Sequence, residues 1–175
     1  IVSLVGSEMC IRDRYNIVTG ANGFVGSHIV IALLEGGYDV VGVVRDPSNI
    51  DKTKFLQDEA DKLKGNDTSS GNLSFKSGDL FISGSYDDAF KDCFGVVHTA
   101  AIVQLGHVDN AEEKVVKPAV QGTMNVLSSI KKHSNTIKRF LNISSVAAII
   151  SVDKPIGHVF VSLSMLELLI FDIDM

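Results

Sequence analysis

The chain has 175 residues, 45% of them hydrophobic and 21% charged, with a formal net charge of −5. That length bounds one ordinary domain and that composition excludes a disordered chain. A negative balance without a Lys/Arg stripe excludes nucleic acid as a general partner, and no apolar run is long enough to span a membrane as a helix.

Cys10 and Cys93 are the only cysteines. They have no metal-ligand spacing and build no disulfide framework, so no metal is expected and the compartment is reducing, the cytoplasm. Residues 3–14 carry neither helical nor strand periodicity. Residues 5–13 resemble the translation of a transposase adapter used in sequencing libraries and read back onto its codons without a mismatch. The resemblance implies that residues 1–14 are an assembly scar, to be set aside like any cloning remnant. A natural extension is the alternative, and Glu8 and Asp13 count against a mitochondrial presequence.

A strand at Asn16–Thr19 leads into Thr19-Gly-Ala-Asn-Gly-Phe-Val-Gly26, and a helix is expected over 25–35. Strand, glycine turn and helix start stand in the order a dinucleotide pyrophosphate needs. Gly20 lets the chain turn sharply, Gly23 removes a side chain where backbone approaches phosphate, and Gly26 lets the helix pack close. Gly36-Gly37 stops that helix. The apolar run Val40–Val44 then suits a parallel strand buried on both faces. It ends at Arg45, whose planar fork suits a ribose 2′-phosphate, while an acid suits the 2′-hydroxyl. Asp46 follows directly, so NADP is favoured over NAD by a charge argument only, and a solvated strand end remains the alternative. Lys52 is a second candidate cation, with Lys54 as a surface counterpart.

Helical spacing is expected over 54–63 and a turn-rich loop over 65–71. A short strand follows from Leu73 into Gly78-Asp79-Leu80, then a short helix at 87–93. A strand over 95–101 runs into the small residues Thr99, Ala100 and Ala101. Apolar periodicity predicts a helix over 111–133, bent or divided by Pro118. Residues 139–144 form a last strand, ending at Ser144 and Ser145. Strands alternating with helices predict an α/β fold, a Rossmann-type doubly wound parallel sheet whose ligands bind at the carboxyl ends of the strands. Residues 15–160 make up that unit. Residues 161–175 turn apolar with no partner element, which reads as a frameshifted or truncated tail, or as a real helix over 163–170.

The glycine turn, Val44-Arg-Asp-Pro47, Gly78-Asp-Leu80, Val97-His-Thr-Ala-Ala101, Lys117-Pro-Ala-Val-Gln-Gly-Thr-Met-Asn-Val-Leu127 and Ile143-Ser-Ser-Val-Ala-Ala148 follow one another at characteristic spacing. Together they resemble the extended short-chain dehydrogenase/reductases, in the branch of dihydroflavonol 4-reductase, cinnamoyl-CoA reductase and fungal aldehyde reductases. The Lys117–Thr123 segment distinguishes that branch from nucleotide-sugar epimerases. The resemblance implies NADP(H) as cofactor and a small-molecule carbonyl as substrate, and leaves the oligomeric state open. It implies that Gly20, Asn22, Gly23, Phe24, Val25 and Gly26 cradle the pyrophosphate and that Arg45 with Lys52 holds the 2′-phosphate. Asp79 would accept from the adenine amino group while Leu80 packs on the ring. Thr99, Ala100 and Ala101 would line the nicotinamide side, with Ser144 next to the catalytic Ser145. A cap for Asp79, close helix packing for the alanines and a strand-end cap for Ser145 are the structural alternatives.

The same family uses a Tyr-x-x-x-Lys after that serine to move the proton. The tyrosines of this sequence are Tyr15, Tyr38 and Tyr86, all upstream of Ser145, and Lys154 has no tyrosine partner. His98 and His107 are not convincing replacements. The expectation is thus a fragment of an NADP-dependent carbonyl reductase, inactive as it stands. A non-catalytic NADP-sensing module and a nucleotide-sugar epimerase or dehydratase are the alternatives.

Overall fold

A computed structural model describes residues 15–102 and 108–145 and the backbone of 171–172. Residues 1–14, His107, Lys154 and most of the 161–175 tail lie outside the described residues. In chain order the elements are β1 (Asn16–Thr19), α1 (Phe24–Glu35), β2 (Val40–Val44), α2 (Ile50–Asn66), β3 (Leu73–Ser77), α3 (Asp87–Phe90), β4 (Gly95–His98), α4 (Lys117–Lys132), β5 (Arg139–Asn142) and β6 (Phe171–Asp172). A π-helical turn, Glu112–Val116, runs directly into α4.

The sheet order is β3-β2-β1-β4-β5-β6. The first five strands are parallel, with Ile17 opposite Val41 on one side and Val96 on the other. β6 joins β5 antiparallel through Phe171 opposite Phe140. The chain leaves β1 toward β2 and β3, then returns across it to β4, so the order reverses beside β1. In doubly wound sheets that reversal opens a crevice above the strand ends.

Alternation along the strands builds two cores. Ile17, Val41, Val43 and Val96 face Tyr86, Phe90, Val126 and Ile130 from α3, α4 and the turn before α3. Val18, Val40 and Val44 face Val30, Leu34, Leu56 and Ala60 from α1 and α2. β2 is buried along its whole length, as its unbroken apolar run predicts.

Several boundaries differ from the sequence reading, among them β5, which ends at Asn142 rather than at Ser144. α2 spans Ile50–Asn66 rather than 54–63, because Asp51 in the first turn and Lys64 in the last oppose the helix dipole and Gly65 is tolerated in the fraying final turn. α3 stops at Phe90, well short of Cys93. β4 ends at His98 rather than 101, where Thr99 and Ala100 turn back onto β1. The helix expected over 111–133 is not divided: the π-helical turn Glu112–Val116 continues directly into α4, whose first turn holds Pro118, where a missing N–H costs no hydrogen bond.

Candidate functional site

A cleft of about 470 Å³ opens above the carboxyl ends of β1 to β4. Gly20, Asn22 and Gly23 form one wall, Arg45, Asp46 and Lys52 another, Gly78 to Phe81 a third, and Thr99 to Ile102 the fourth.

The glycine wall follows from local geometry. Gly20 sits at φ +67°, and a Cβ there would lie 2.9 Å from the Ala100 Cα. An L side chain meets both a disfavoured backbone and a neighbouring strand end at this position. Gly20 O accepts from Gly23 N–H at 2.9 Å, closing the turn, and Ser27 N–H donates to Gly23 O as α1 begins. Gly23 caps α1 without any side-chain hydrogen bond. Gly26 is buried beneath the loop: its missing Cβ would fall 2.3 Å from Gly20 O and 2.9 Å from Thr99 Oγ1. It does not line the cleft but lets helix and loop approach, the packing task read from the sequence rather than a direct cradle. Phe24 and Val25 do not line it either. Their side chains point outward, Phe24 82% exposed and against the His28 ring, so only their backbone faces the loop.

Arg45 and Lys52 reach the cleft from the end of β2 and the first turn of α2. Neither is ion-paired among the described residues. The adjacent Asp46 is otherwise engaged: its Oδ1 accepts from Ser48 Oγ at 2.6 Å and Ser48 N–H at 3.0 Å. Those bonds hold its carboxyl below the usual carboxylate range, with a smaller contribution from Lys52. Asp46 thus turns the chain into α2, while Arg45 borders the cleft.

Asp79 and Leu80 occupy the far wall. Asp79 Oδ1 accepts from Phe81 N–H at 2.8 Å. The bond fixes the carboxylate in a local turn, and α3 begins only at Asp87, so Asp79 is no cap for it. Leu80 is fastened from α4: Asn125 Nδ2 donates to Leu80 O at 2.7 Å and is itself steadied by Gln121 Nε2 at 3.0 Å. A Cβ on Gly122 would lie 3.0 Å from Leu80 Cβ. Asn125 was missed in the sequence, where an Asn between Met124 and Val126 reads as an ordinary polar helix residue. The signal was its place on the buried face with Gly122, Val126, Ser129 and Ile130.

The fourth wall rests on a buried polar cluster. Thr19 Oγ1 and His98 Nδ1 are 2.7 Å apart, Thr99 Oγ1 donates to Thr19 O at 2.6 Å, and Ala100 N–H donates to Thr19 Oγ1 at 3.3 Å. His98 is 3% exposed, and burial pushes its imidazole down to about 4 from the ordinary 6.5. It is therefore neutral at pH 7 and ties β4 to β1. Tyr86, fully buried and beside Asp79, also borders the cleft. Burial, then the Asp79 charge, pushes its phenol up to about 12, the wrong direction for a proton relay at neutral pH.

Ser144 and Ser145 follow β5 at the same edge of the sheet, exposed and outside the cleft lining. The structure thus brings Gly20, Asn22, Gly23, Arg45, Lys52, Asp79, Leu80, Thr99, Ala100 and Ala101 together, and leaves the two serines at the neighbouring strand end. No group of His, Cys, Asp and Glu among the described residues forms a metal cluster, and no helix among them is long and apolar enough to cross a membrane.

Known proteins share this arrangement. The chain is 43% identical over 128 residues to tetraketide alpha-pyrone reductase 1 of Arabidopsis thaliana, covering 73% of this chain and 36% of that one. It is 37% identical over 139 residues to dihydroflavonol 4-reductase of Hordeum vulgare, covering 79% of this chain and 37% of the relative. The fold superposes on Gre2 from Candida albicans in complex with NADPH with a TM-score of 0.65 and 32% identity, over 81% of this chain and 40% of that structure. The chain thus spans between a third and two-fifths of the length of these relatives. Residues 16–160 match the model of the NAD dependent epimerase/dehydratase family. With that match added to the cleft, the glycine turn and the sheet order, the chain belongs to the NAD dependent epimerase/dehydratase family.

Proposed function

We propose that residues 15–160 are the cofactor-holding part of an NADPH-dependent reductase acting on an aldehyde or ketone carbonyl, with residues 1–14 and 161–175 outside that unit. The carrying observation is the cleft itself, where a side-chain-free helix start and two unpaired cations flank a carboxylate held in a turn. The donor set fits a phosphorylated dinucleotide. Backbone N–H groups at the start of α1 suit the pyrophosphate, and the helix dipole adds to them. Arg45 with Lys52 takes the 2′-phosphate, since a guanidinium matches phosphate oxygens in a fork and Asp46 is occupied by Ser48. Asp79 accepts from the adenine amino group and Leu80 packs on the ring. Thr99, Ala100, Ala101 and Ser144 border the nicotinamide.

When bound, the reduced nicotinamide supplies hydride to the carbonyl carbon. In this reading Ser145, which follows β5, would hydrogen-bond the carbonyl oxygen as negative charge gathers there. A proton must then reach that oxygen, and no Tyr-x-x-x-Lys occurs in this sequence to deliver it. Our reading is that these residues bind the cofactor without turning over, with an NADP-sensing module without catalysis as the second reading. Arg45, unpaired at the 2′-position, favours both over a nucleotide-sugar epimerase working with NAD.

Titration of the folded chain with NADPH and NADH, followed by calorimetry or nicotinamide fluorescence, tests the reading. NADPH is expected to bind more tightly, with a preference that shrinks as salt rises. Equal affinity for the two, or binding of neither, would sink it.

A further inference from the structure

The segment between β3 and α3 carries the far wall of the cleft, and one hydroxyl joins its two ends. Ser85 Oγ donates to Asp79 O at 2.7 Å and accepts from Asp79 N–H at 3.0 Å. A serine hydroxyl has one proton and two lone pairs, and both bonds use them without conflict. Between these ends the chain runs through two stacked turns, Ile82 N–H to Asp79 O at 3.1 Å and Ser85 N–H to Ile82 O at 3.2 Å. The tip of the loop, Phe81 and Ile82, is 64% and 58% exposed. Packing therefore holds the tip weakly; the Ser85 hydroxyl bonds both backbone groups of Asp79, between Gly78, whose N–H donates to Val44 O at 3.0 Å, and Leu80, held by Asn125. The carboxylate depends on that backbone. Its Oδ1 is used by Phe81 N–H at 2.8 Å, which leaves Oδ2 as the oxygen open to a ligand.

We propose that Ser85 is a positioning residue for recognition of the nucleotide base: its hydroxyl clamps the Asp79 backbone so that the carboxylate presents Oδ2 to an exocyclic amino group in the cleft. This deepens the assignment of Asp79 to adenine and rests on it. Adenine offers an amino donor at that edge. Hypoxanthine offers a carbonyl oxygen there, which a fixed carboxylate repels. A carboxylate free to swing away discriminates less. Leu80 is held separately by Asn125, so loss of the Ser85 clamp releases Asp79 while leaving the ring-packing contact in place.

The test uses the whole chain and three probes: NADPH, its hypoxanthine analogue and NADH. Ser85→Ala is expected to reduce the preference for NADPH over the hypoxanthine analogue by about tenfold, the equivalent of one hydrogen bond to a charged group. The preference for NADPH over NADH, set by Arg45 and Lys52, should stay unchanged, which a general loosening of the fold would not allow. Ser85→Thr, which keeps the hydroxyl, should restore base preference. If Ser85→Ala does not fold, Ser85→Cys, a weaker donor of the same shape, is read in the same way. Full base preference retained in Ser85→Ala or Ser85→Cys overturns the role of Ser85 alone. No base preference in the unaltered chain overturns the assignment of Asp79, and the role of Ser85 with it.

Discussion

Arg45 and Asp46 stand side by side at the end of β2, and the fold separates their tasks. Asp46 is bound by Ser48, whereas Arg45 borders the cleft without an ion-pair partner among the described residues. Arg45→Ala is accordingly expected to weaken NADPH binding roughly ten- to hundredfold, the range for a charge-assisted bond, and to leave NADH nearly unaffected. Paired titrations at low and moderate salt check this. Gly20 gives a stability test at the same scale. With φ at +67° and the Ala100 Cα 2.9 Å from any Cβ, Gly20→Ala should destabilise the chain by roughly 1–3 kcal/mol or more in urea unfolding. His98 sets a pH dependence. Its imidazole is pushed down to about 4 by burial against 6.5 for the exposed group, so the unfolded chain binds more protons than the folded one between those values. Stability is then fully present above pH 6.5 and falls as pH drops toward 4, by an amount on the order of 3 kcal/mol. Urea midpoints at pH 7.5, 5.5 and 4.5 measure it, and His98→Asn should flatten that window. The lowered carboxyls of Asp46, Asp67 and Asp87 act below it, beneath pH 3.8.

Between elements, the short α3 depends on α4 for its place. Four residues cannot sustain a helix alone. Phe90 and Ala89 are buried in the core shared with Val126 and Ile130. Asp87 adds a polar tie, accepting from the buried Ser129 Oγ at 2.6 Å and from Lys132 Nζ at 2.5 Å. Those two hydrogen bonds hold its carboxyl below the usual range. Because Asp87 is partly open to solvent, the charged bond is screened and the Ser129 bond matters more. Asp87→Ala and Ser129→Ala should each cost about 1 kcal/mol, and the double variant less than their sum, in a cycle measured by thermal unfolding. Since α3 ends the loop that carries Asp79, both should also loosen the far wall of the cleft. The π-helical turn Glu112–Val116 ahead of α4 was beyond sequence reasoning: apolar spacing predicts one helix, and Pro118 marks a break without saying how the preceding turn is wound.

For the whole molecule, the cleft joins the ends of four strands and two helices, so a ligand there binds only the folded state. NADPH at a hundredfold excess over its dissociation constant should add about 2.7 kcal/mol to stability, and NADH at equal concentration less. A thermal scan with each coenzyme measures the difference. Incubation with NADPH and a panel of aldehydes should leave NADPH absorbance unchanged, because no Tyr-x-x-x-Lys occurs among these 175 residues to deliver the proton.

Sequence alone determined the first five strands, the helices between them and their order, but not β6, which pairs with β5 from within the tail read as having no partner element. Val40–Val44 could only be a strand buried on both faces, and Gly20, Gly23 and Gly26 could only open a helix after a tight turn, because local sterics and apolar periodicity act over a few neighbouring residues. The same reach explains why Arg45 could be singled out directly after a strand end, whereas Asp79 and Thr99 were named only through the family resemblance; all three border the cleft. What the tertiary structure decided were contacts between residues far apart in the chain. Thr19 meets His98, Asn125 meets Leu80, and Gly26 packs beneath Gly20 rather than lining the cleft. Hydrogen bonding and desolvation at such points depend on which surfaces the crossovers bring together, and no local pattern carries that information.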